Sequence, residues 1–335
     1  MKALILAGGF ATRLRPITDR IPKALLPIGN VPFLEHQIRL LARHGVDDAV
    51  LLTGYLAEDF GPFAQRMTRY GVRLEISTED EPLGTAGALR TKLDELDGTT
   101  LVFNGDVLTD IDISVLLKQH RDKEAAITMA LSYVPDSGGY GVVQTDEDDR
   151  VLAFVQNVKG EPRPGDWINA GIYAIEPRII ARVPPGRKVE LEHPPDPVFP
   201  ALLADGEPFY AMRSDAYWID IGARDRYLQA HVDVLDGRAD VSVEGTLMRE
   251  DKTLPDGTRI VAPTLLSHAP VGRGAVLGPY ACLGQGCTIG ERATVERSVV
   301  LTGARVGAGA TVRGSILGSG ATIEPGEECI DDIRA

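Results

Sequence analysis

From Leu265 onward, aliphatic side chains return on a fixed count. Leu265, Val271, Leu277, Leu283, Ile289, Val295 and Leu301 recur every six residues. The register then slips by one and continues through Val306, Val312, Leu317 and Ile323, and Gly272, Gly278, Gly284, Gly290, Gly307 and Gly318 each follow one of these aliphatics. A six-residue period with an inward aliphatic and a small neighbour is the signature of a parallel β-helix. Its coils stack at the inter-strand spacing of about 4.8 Å. A loose Gly-rich tail has no reason to hold phase across so many units.

Up to about residue 232 the pattern is different. Ala3–Leu6, Ala49–Thr53, Arg73–Ser77 and Thr99–Phe103 read as buried strands, apolar or β-branched and bounded by turn formers. Between the first two, Leu34, Ile38 and Leu41 fall on one face of a helix over Phe33–His44, with Gly45 as its stop. Leu116-Leu117 and Val198–Leu203 sit in similar helical segments. Strand, helix, strand at this spacing predicts an α/β domain with a mostly parallel sheet, which binds ligands beyond the carboxyl ends of its strands. The expected division is the α/β domain over 1–232, a charged linker with Gly237, Gly245, Pro255 and Gly257 over 233–258, and the repeat domain over 259–335.

Charge directs attention to the N-terminus. The chain has a formal net charge of −13, yet its first thirty residues carry five basic side chains and one acidic one. Arg13, Arg15, Arg20 and Lys23 follow the paired Gly8-Gly9 at the end of the first strand. This local reversal of sign suits a bound polyanion, whereas the acidic whole argues against nucleic acid and anionic membranes as partners. No run approaches eighteen apolar residues, so no membrane span is expected. The apolar opening Ala3–Ala7 is too short for a secretory signal. Three cysteines without a C-x-x-C pair fit a reduced, cytoplasmic protein with no disulfide framework.

The stretch after the first strand matches neither G-x-x-x-x-G-K-[ST] nor G-x-G-x-x-G, which disfavours an ATPase P-loop and a dinucleotide site. Gly8 and Gly9 let main-chain N–H groups approach phosphate oxygens. Arg13 offers a planar fork and Lys23 a compact charge. Asp106 lies just past the strand Leu101–Phe103, and Asp220 within Trp218–Gly222. Two carboxylates from distant segments can share a Mg²⁺ that bridges phosphates. Each also has a plainer reading, an Asx turn for Asp106 and a helix N-cap for Asp220. Thr85 likewise reads as a helix-capping residue.

Taken in order, "LAGGFATRLRP", "PKALLPIGN", "EDEPLGTAGALR", "FNGDVL", "YGVV", "NAGIY" and "YWIDIG", with the repeat tail, resemble the sugar-1-phosphate nucleotidyltransferases. "EPLGTAG" and "FNGDVL" look most like the mannose-1-phosphate guanylyltransferases among them. The resemblance implies a Rossmann-like nucleotidyltransferase domain followed by a left-handed β-helix of hexapeptide repeats. It implies attack of a sugar 1-phosphate on the α-phosphorus of a nucleoside triphosphate, GTP and mannose 1-phosphate being favoured, with release of pyrophosphate. It assigns Arg13 and Lys23 to catalysis, and Leu6, Ala7, Gly8, Gly9, Gly84 and Thr85 to the nucleotide. Gly141, Gln156, Asn157, Lys159 and Asn169 go to the sugar phosphate, and Asp106 and Asp220 to Mg²⁺. The β-helix is expected to serve a homo-oligomer.

Three departures from the family stand out. Ala11 occupies the place of a common third glycine. Gln156-Asn157 replaces a Glu-Lys pair, leaving Lys159, or more remotely Arg163, to meet the sugar phosphate. Glu190–Pro197 ("ELEHPPDP") is an unusual approach to the next helix. Alternatives therefore stay open: glucose 1-phosphate or an unusual sugar or cyclitol phosphate with UTP, dTTP or ATP, or a weakly catalytic regulatory homologue that senses nucleotide sugars. An acyltransferase would need a histidine base in the repeats, and only His268, at their margin, is present.

Overall fold

The computed structural model describes residues 1–9, 11–54, 56–156, 164–192 and 197–335. Its contacts divide into two compact units that do not follow chain order. One comprises Met1–Gly9 with Gln37–Trp218, the other Phe10–His36 with Ile219–Ala335.

The first unit is built on a nine-stranded sheet. Its strands are β1 (Lys2–Leu6), β2 (Asp48–Thr53), β3 (Arg73–Thr78), β4 (Thr100–Asn104), β5 (Ile127–Asp136), β6 (Gly141–Thr145), β7 (Val151–Gln156), β8 (Pro164–Ile175) and β9 (Phe209–Ser214). The path runs β7-β6-β8-β4-β1-β2-β3, while β5 pairs with β8 and β9. Parallel pairing links β4, β1, β2 and β3, and antiparallel pairing joins β8 to β4, β5 and β6. The sheet is thus a four-strand parallel block continued through antiparallel pairings, with β9 added in parallel beside β5.

The sequence expectation of a mostly parallel sheet came from the four strands with continuous apolar runs. Three of these are buried on both faces, Ala3, Leu4 and Ile5, Val50 and Leu51, and Leu101, Val102 and Phe103 being fully buried, whereas β3 at the edge is only partly buried. The order reverses between β1 and β4, so the ends at Leu6 and Asn104 form the switch point where such sheets bind ligands.

In the second unit, the C-terminal region is β-rich and made of parallel-paired short strands. Cys282 pairs with Val299 and Val299 with Ile316, 17 residues on each time, and Thr288 pairs with Arg305 and Arg305 with Thr322 at the same interval. The pairings of Val276 with Thr294, Leu277 with Val295 and Val271 with Ile289 span the 18 residues that three six-residue units would give. The slip read once in the sequence therefore recurs, because one short segment of most turns is a residue shorter. Leu277, Leu283, Val295, Val300, Val312 and Leu317 are fully buried in one apolar column. The three thiols are buried and none is in a disulfide; burial pushes Cys282 up to about 12 and Cys287 to about 11. No helix among the described residues is long and apolar enough to cross a membrane.

The same unit holds an acid-sensitive element. His231 is buried on the helix Arg224–Leu235, its Nδ1 3.0 Å from the Tyr227 carbonyl. Burial, reinforced by nearby His36, depresses its pKa from 6.5 to about 4. The fold keeps this base neutral while the unfolded chain binds a proton, so stability is intact above about pH 6.5 and falls as pH drops toward 4. The full loss is on the order of 3 kcal/mol. Urea unfolding at pH 7 and pH 5 checks this: His231→Gln is expected to lose markedly less stability between the two than the unaltered protein.

Candidate functional site

In the first unit the ends of β1 and β4 meet over a glycine. Gly105 N–H donates to the Leu6 carbonyl at 2.8 Å, and a Cβ on Gly105 would lie 2.5 Å from that oxygen. Any side chain there would push the two strand ends apart. Asp106 follows, half-buried, in the turn leading to the strand Val107–Thr109. Gln37 clamps this turn from both sides, its Nε2 donating to the Asn104 carbonyl at 2.8 Å and the Val107 carbonyl at 3.0 Å. Leu6 and Ala7 are half-buried, and Gly8 and Gly9 are exposed. A methyl on Gly8 would meet protein no closer than 3.7 Å, and one on Gly9 nothing within 4 Å. Internal packing does not demand these glycines.

β8 carries a register shift between Asn169 and Tyr173. Asn169 Nδ2 donates to the Tyr173 hydroxyl at 2.8 Å and to Glu192 Oε2 at 3.0 Å, while its Oδ1 accepts from Gly171 N–H at 2.8 Å. Burial drives the Tyr173 hydroxyl far above its ordinary pKa, and the charges of Glu192 and Asp106 add to this. Asn169, Tyr173, Glu192 and Asp106 thus form one polar group. Gly141 opens β6 opposite Gln156 at the end of β7. Asn157, Lys159 and Arg163 lie outside the described residues.

Gly84 and Thr85 begin the helix Gly84–Arg90, whose preceding residue, Leu83, provides no side-chain cap. Distant residues satisfy its opening N–H groups. Glu190 Oε2 accepts from Thr85 N–H and from Thr85 Oγ1, both at 3.0 Å. The Val189 carbonyl accepts from Ala86 and Gly87 at 3.0 and 3.1 Å. Thr85 is accordingly the capped residue and not the cap. Gly84 has φ +72°, and a Cβ there would lie 2.6 Å from the Val189 oxygen, so this turn needs glycine on both counts.

Facing the turn is Glu79, whose Oε2 accepts from Leu83 N–H at 3.1 Å. Its Oε1 is buried and has no hydrogen-bond partner among the described residues. Burial raises the Glu79 pKa above the usual carboxylate value; the Leu83 bond opposes this and the Glu190 charge adds to it.

The second unit gathers Arg13, Asp220 and Arg226. Asp220 Oδ2 pairs with Arg226 Nη1 at 3.2 Å, and Asp220 Oδ1 accepts from Gly222 N–H at 3.2 Å. A Cβ on Gly222 would lie 2.7 Å from Arg13 Nη2. Asp220 is no helix N-cap, since Ala223 holds that position. Burial and the charge of Arg13 lower the Arg226 pKa, as befits two guanidinium groups held near one carboxylate. Lys23 is half-buried in the single turn Lys23–Leu25. Ala11 has φ 46° and ψ 44°, the left-handed conformation that glycine adopts freely. Ala11→Gly is therefore expected to leave the melting temperature unchanged or higher, whereas an Ala→Gly change inside a helix costs about 1 kcal/mol.

Sequence reasoning missed Glu79, Glu190, Glu192, Gln37, Tyr173 and Arg226. Glu79 and Tyr173 stand inside "EDEPLGTAGALR" and "NAGIY" without being singled out there, and the atypical "ELEHPPDP" pointed to the segment of Glu190 and Glu192 without indicating its partners.

Among the described residues no group of three or more His, Cys, Asp or Glu side chains could hold a metal ion by itself. Asp106 and Asp220 carry carboxylate oxygens, the donor type that Mg²⁺ takes together with water and phosphate oxygens.

Residues 2–237 match the Nucleotidyl transferase family and residues 260–331 the GMPPB C-terminal domain. A mannose-1-phosphate guanylyltransferase of Mycobacterium tuberculosis is 38% identical, the match covering 92% of this chain and 81% of that protein. A UTP–glucose-1-phosphate uridylyltransferase of Synechocystis is 34% identical over 92% of this chain and 85% of its own. Among solved structures, HddC from Yersinia pseudotuberculosis complexed with GMP-PN is 26% identical with a TM-score of 0.60, covering 70% of this chain and 99% of that one. The first of these matches alone spans the switch-point loops, the Gly84 turn and both aspartates, and on that ground the chain belongs to the sugar-1-phosphate nucleotidyltransferases, which transfer a nucleotidyl group from a nucleoside triphosphate to a sugar 1-phosphate.

Proposed function

We propose that this enzyme uses GTP and mannose 1-phosphate to make the corresponding nucleotide sugar and pyrophosphate. The observation that carries the choice of base is Glu79. An ionised carboxylate only accepts hydrogen bonds. Guanine offers two adjacent donors, N1–H and the N2 amine, where uracil and thymine offer one donor between two carbonyls. The mannose-1-phosphate guanylyltransferase at 38% identity supports the same reading.

Leu6, Ala7, Gly8, Gly9 and Gly84 contact the nucleotide in this reading, with Thr85 shaping the turn. Arg13 neutralises the leaving pyrophosphate and Lys23 the α-phosphate, while Asp106 and Asp220 hold Mg²⁺ on the same triphosphate. Arg13 lies four positions beyond Gly9 in the sequence, at most about 14 Å of extended chain. When bound, Mg²⁺ supplies charge neutralisation across the phosphates. The sugar phosphate falls to Gly141, Asn169 and the Gln156–Lys159 segment. Asn169's amide is already engaged, so Glu192 joins it in meeting sugar hydroxyls.

The domain division 1–232, 233–258 and 259–335 belongs to this proposal, as do a left-handed β-helix for the last part, a homo-oligomer and a cytoplasmic location. The 17-residue parallel pairings support the helix.

Pyrophosphate release with Mg²⁺ and a panel of triphosphates and sugar phosphates tests the proposal. GTP with mannose 1-phosphate is expected to exceed UTP with glucose 1-phosphate by about tenfold or more in kcat/KM, the factor of one charge-assisted hydrogen bond. The reverse order would favour the uridylyltransferase reading that the second relative suggests. No release with any pair would favour the regulatory homologue.

A further inference from the structure

Glu190 sits 105 residues along the chain from Thr85, yet it takes both of that residue's donors on a single oxygen. Leu191 N–H donates back to Thr85 Oγ1 at 2.8 Å. The second Glu190 oxygen lies 2.8 Å from where a Cβ on Gly84 would be. Val189 closes the same clasp, its N–H donating to the Leu83 carbonyl at 2.9 Å. The first turn of the helix Gly84–Arg90 therefore has a negative carboxylate at its N-terminal end, where helix-end charge favours one, and no side-chain donor left over. Across the turn stands Glu79, close enough for the Glu190 charge to be felt there.

We propose that Glu190 is a positioning and specificity residue for the nucleobase, acting through Thr85 and Glu79, an inference that rests on reading the Gly84–Thr85 turn as the base site. It works in two ways. By occupying the N–H and O–H of Thr85, it denies a base rich in carbonyl acceptors the donors that would recognise it. By placing a second negative charge beside Glu79, it favours a base edge made of donors. Uracil and thymine are disfavoured on both counts, and guanine is favoured on the second.

Two substitutions separate geometry from charge. In Glu190→Gln one amide oxygen still accepts both Thr85 bonds, but the charge is gone. In Glu190→Ala both are lost. With Glu190→Ala, the KM for GTP is expected to rise by about tenfold with kcat changing by no more than about threefold. The GTP-to-UTP ratio of kcat/KM should fall by about tenfold, as the freed Thr85 N–H and O–H donate to a uracil carbonyl. Glu190→Gln should restore the KM to within about threefold. It should also shift the acid limb of kcat/KM for GTP to lower pH, because Glu79 then ionises more readily. A clasp that merely held the fold would leave that limb where it is.

An unchanged base ratio in Glu190→Ala, together with an unmoved acid limb in Glu190→Gln, overturns the inference. If Glu190→Ala does not fold, the pH profile of Glu190→Gln decides alone. Glu79→Gln tells the two failures apart. If it abolishes base discrimination while both Glu190 variants keep it, only this inference fails. If it too leaves discrimination intact, the assignment of the base site fails with it.

Discussion

Asp106→Asn is expected to reduce kcat about a thousand-fold while leaving the melting temperature of the protein unchanged. The first half follows from charge. In phosphoryl transfer the protein contributes positioning and neutralisation more than covalent chemistry. Removing one preorganised electrostatic group from such a site costs about 10²–10³ in rate, and the loss of a metal-holding carboxylate belongs at the upper end. The second half follows from how the turn is held. Gln37 bonds the carbonyls of Asn104 and Val107, and Gly105 bonds Leu6, so the backbone around Asp106 is fixed by groups other than its own side chain. Asparagine is nearly isosteric and can form an Asx turn as well as aspartate does. If Asp106 were only a turn former, kcat would survive the change. Steady-state kinetics and a thermal melt on the same preparation distinguish the two roles.

Gly290→Val is expected to be among the most disruptive single changes in the C-terminal region. A Cβ at this position would sit on the backbone nitrogen of Ala308, in the adjacent turn of chain. Backbone cannot retreat as a flexible side chain can. The neighbouring bonds are Gly290 N–H to the Val306 carbonyl at 2.8 Å and Gly309 N–H to the Glu291 carbonyl at 2.7 Å, and both would open if the turns separated. Overpacking costs about 1–3 kcal/mol, and two backbone bonds lost with it bring the total to about 2–6 kcal/mol. Gly98→Val serves as the control, since a Cβ on Gly98 meets nothing within 4 Å and its φ is not positive. Urea unfolding should separate the two variants clearly. Equal stability would mean that the turns are not stacked at the spacing described.

The parts of this structure that the sequence announces are those written in local periodicity. β1, β2 and β4 are near-continuous apolar runs because they are buried inside the parallel block, β3 shows only two apolar side chains at its edge, and the positions of all four were legible to within a residue or two. The buried column of Leu277, Leu283, Val295 and Val312 was legible for the same reason. The 17-residue interval was harder to see, because a five-residue segment between six-residue ones looks like a single slip until the pairings are known.

The candidate site was legible where glycine, arginine and aspartate cluster in one short stretch, as at Gly8–Lys23 or Asn104–Asp106. It was illegible where the chemistry depends on distant partners. Nothing local to Glu190 says that it caps a helix beginning at Gly84, and nothing in Arg226 says that it pairs with Asp220. Ala11 is an intermediate case. Its place in the loop was noted, but only the backbone shows that the position is left-handed and would suit the glycine it lacks.

The claim on which the functional account turns is that Asp106 and Asp220 serve one metal on one triphosphate. Affinity cleavage measures this directly: Fe²⁺ is bound in place of Mg²⁺ in the presence of GTP, ascorbate and peroxide are added, and the cut sites are mapped by mass spectrometry. The account predicts cuts both beside Gly105-Asp106 and within Ile219–Gly222, dependent on GTP and suppressed by excess Mg²⁺. Cuts confined to one of the two segments, or appearing equally without nucleotide, would contradict it.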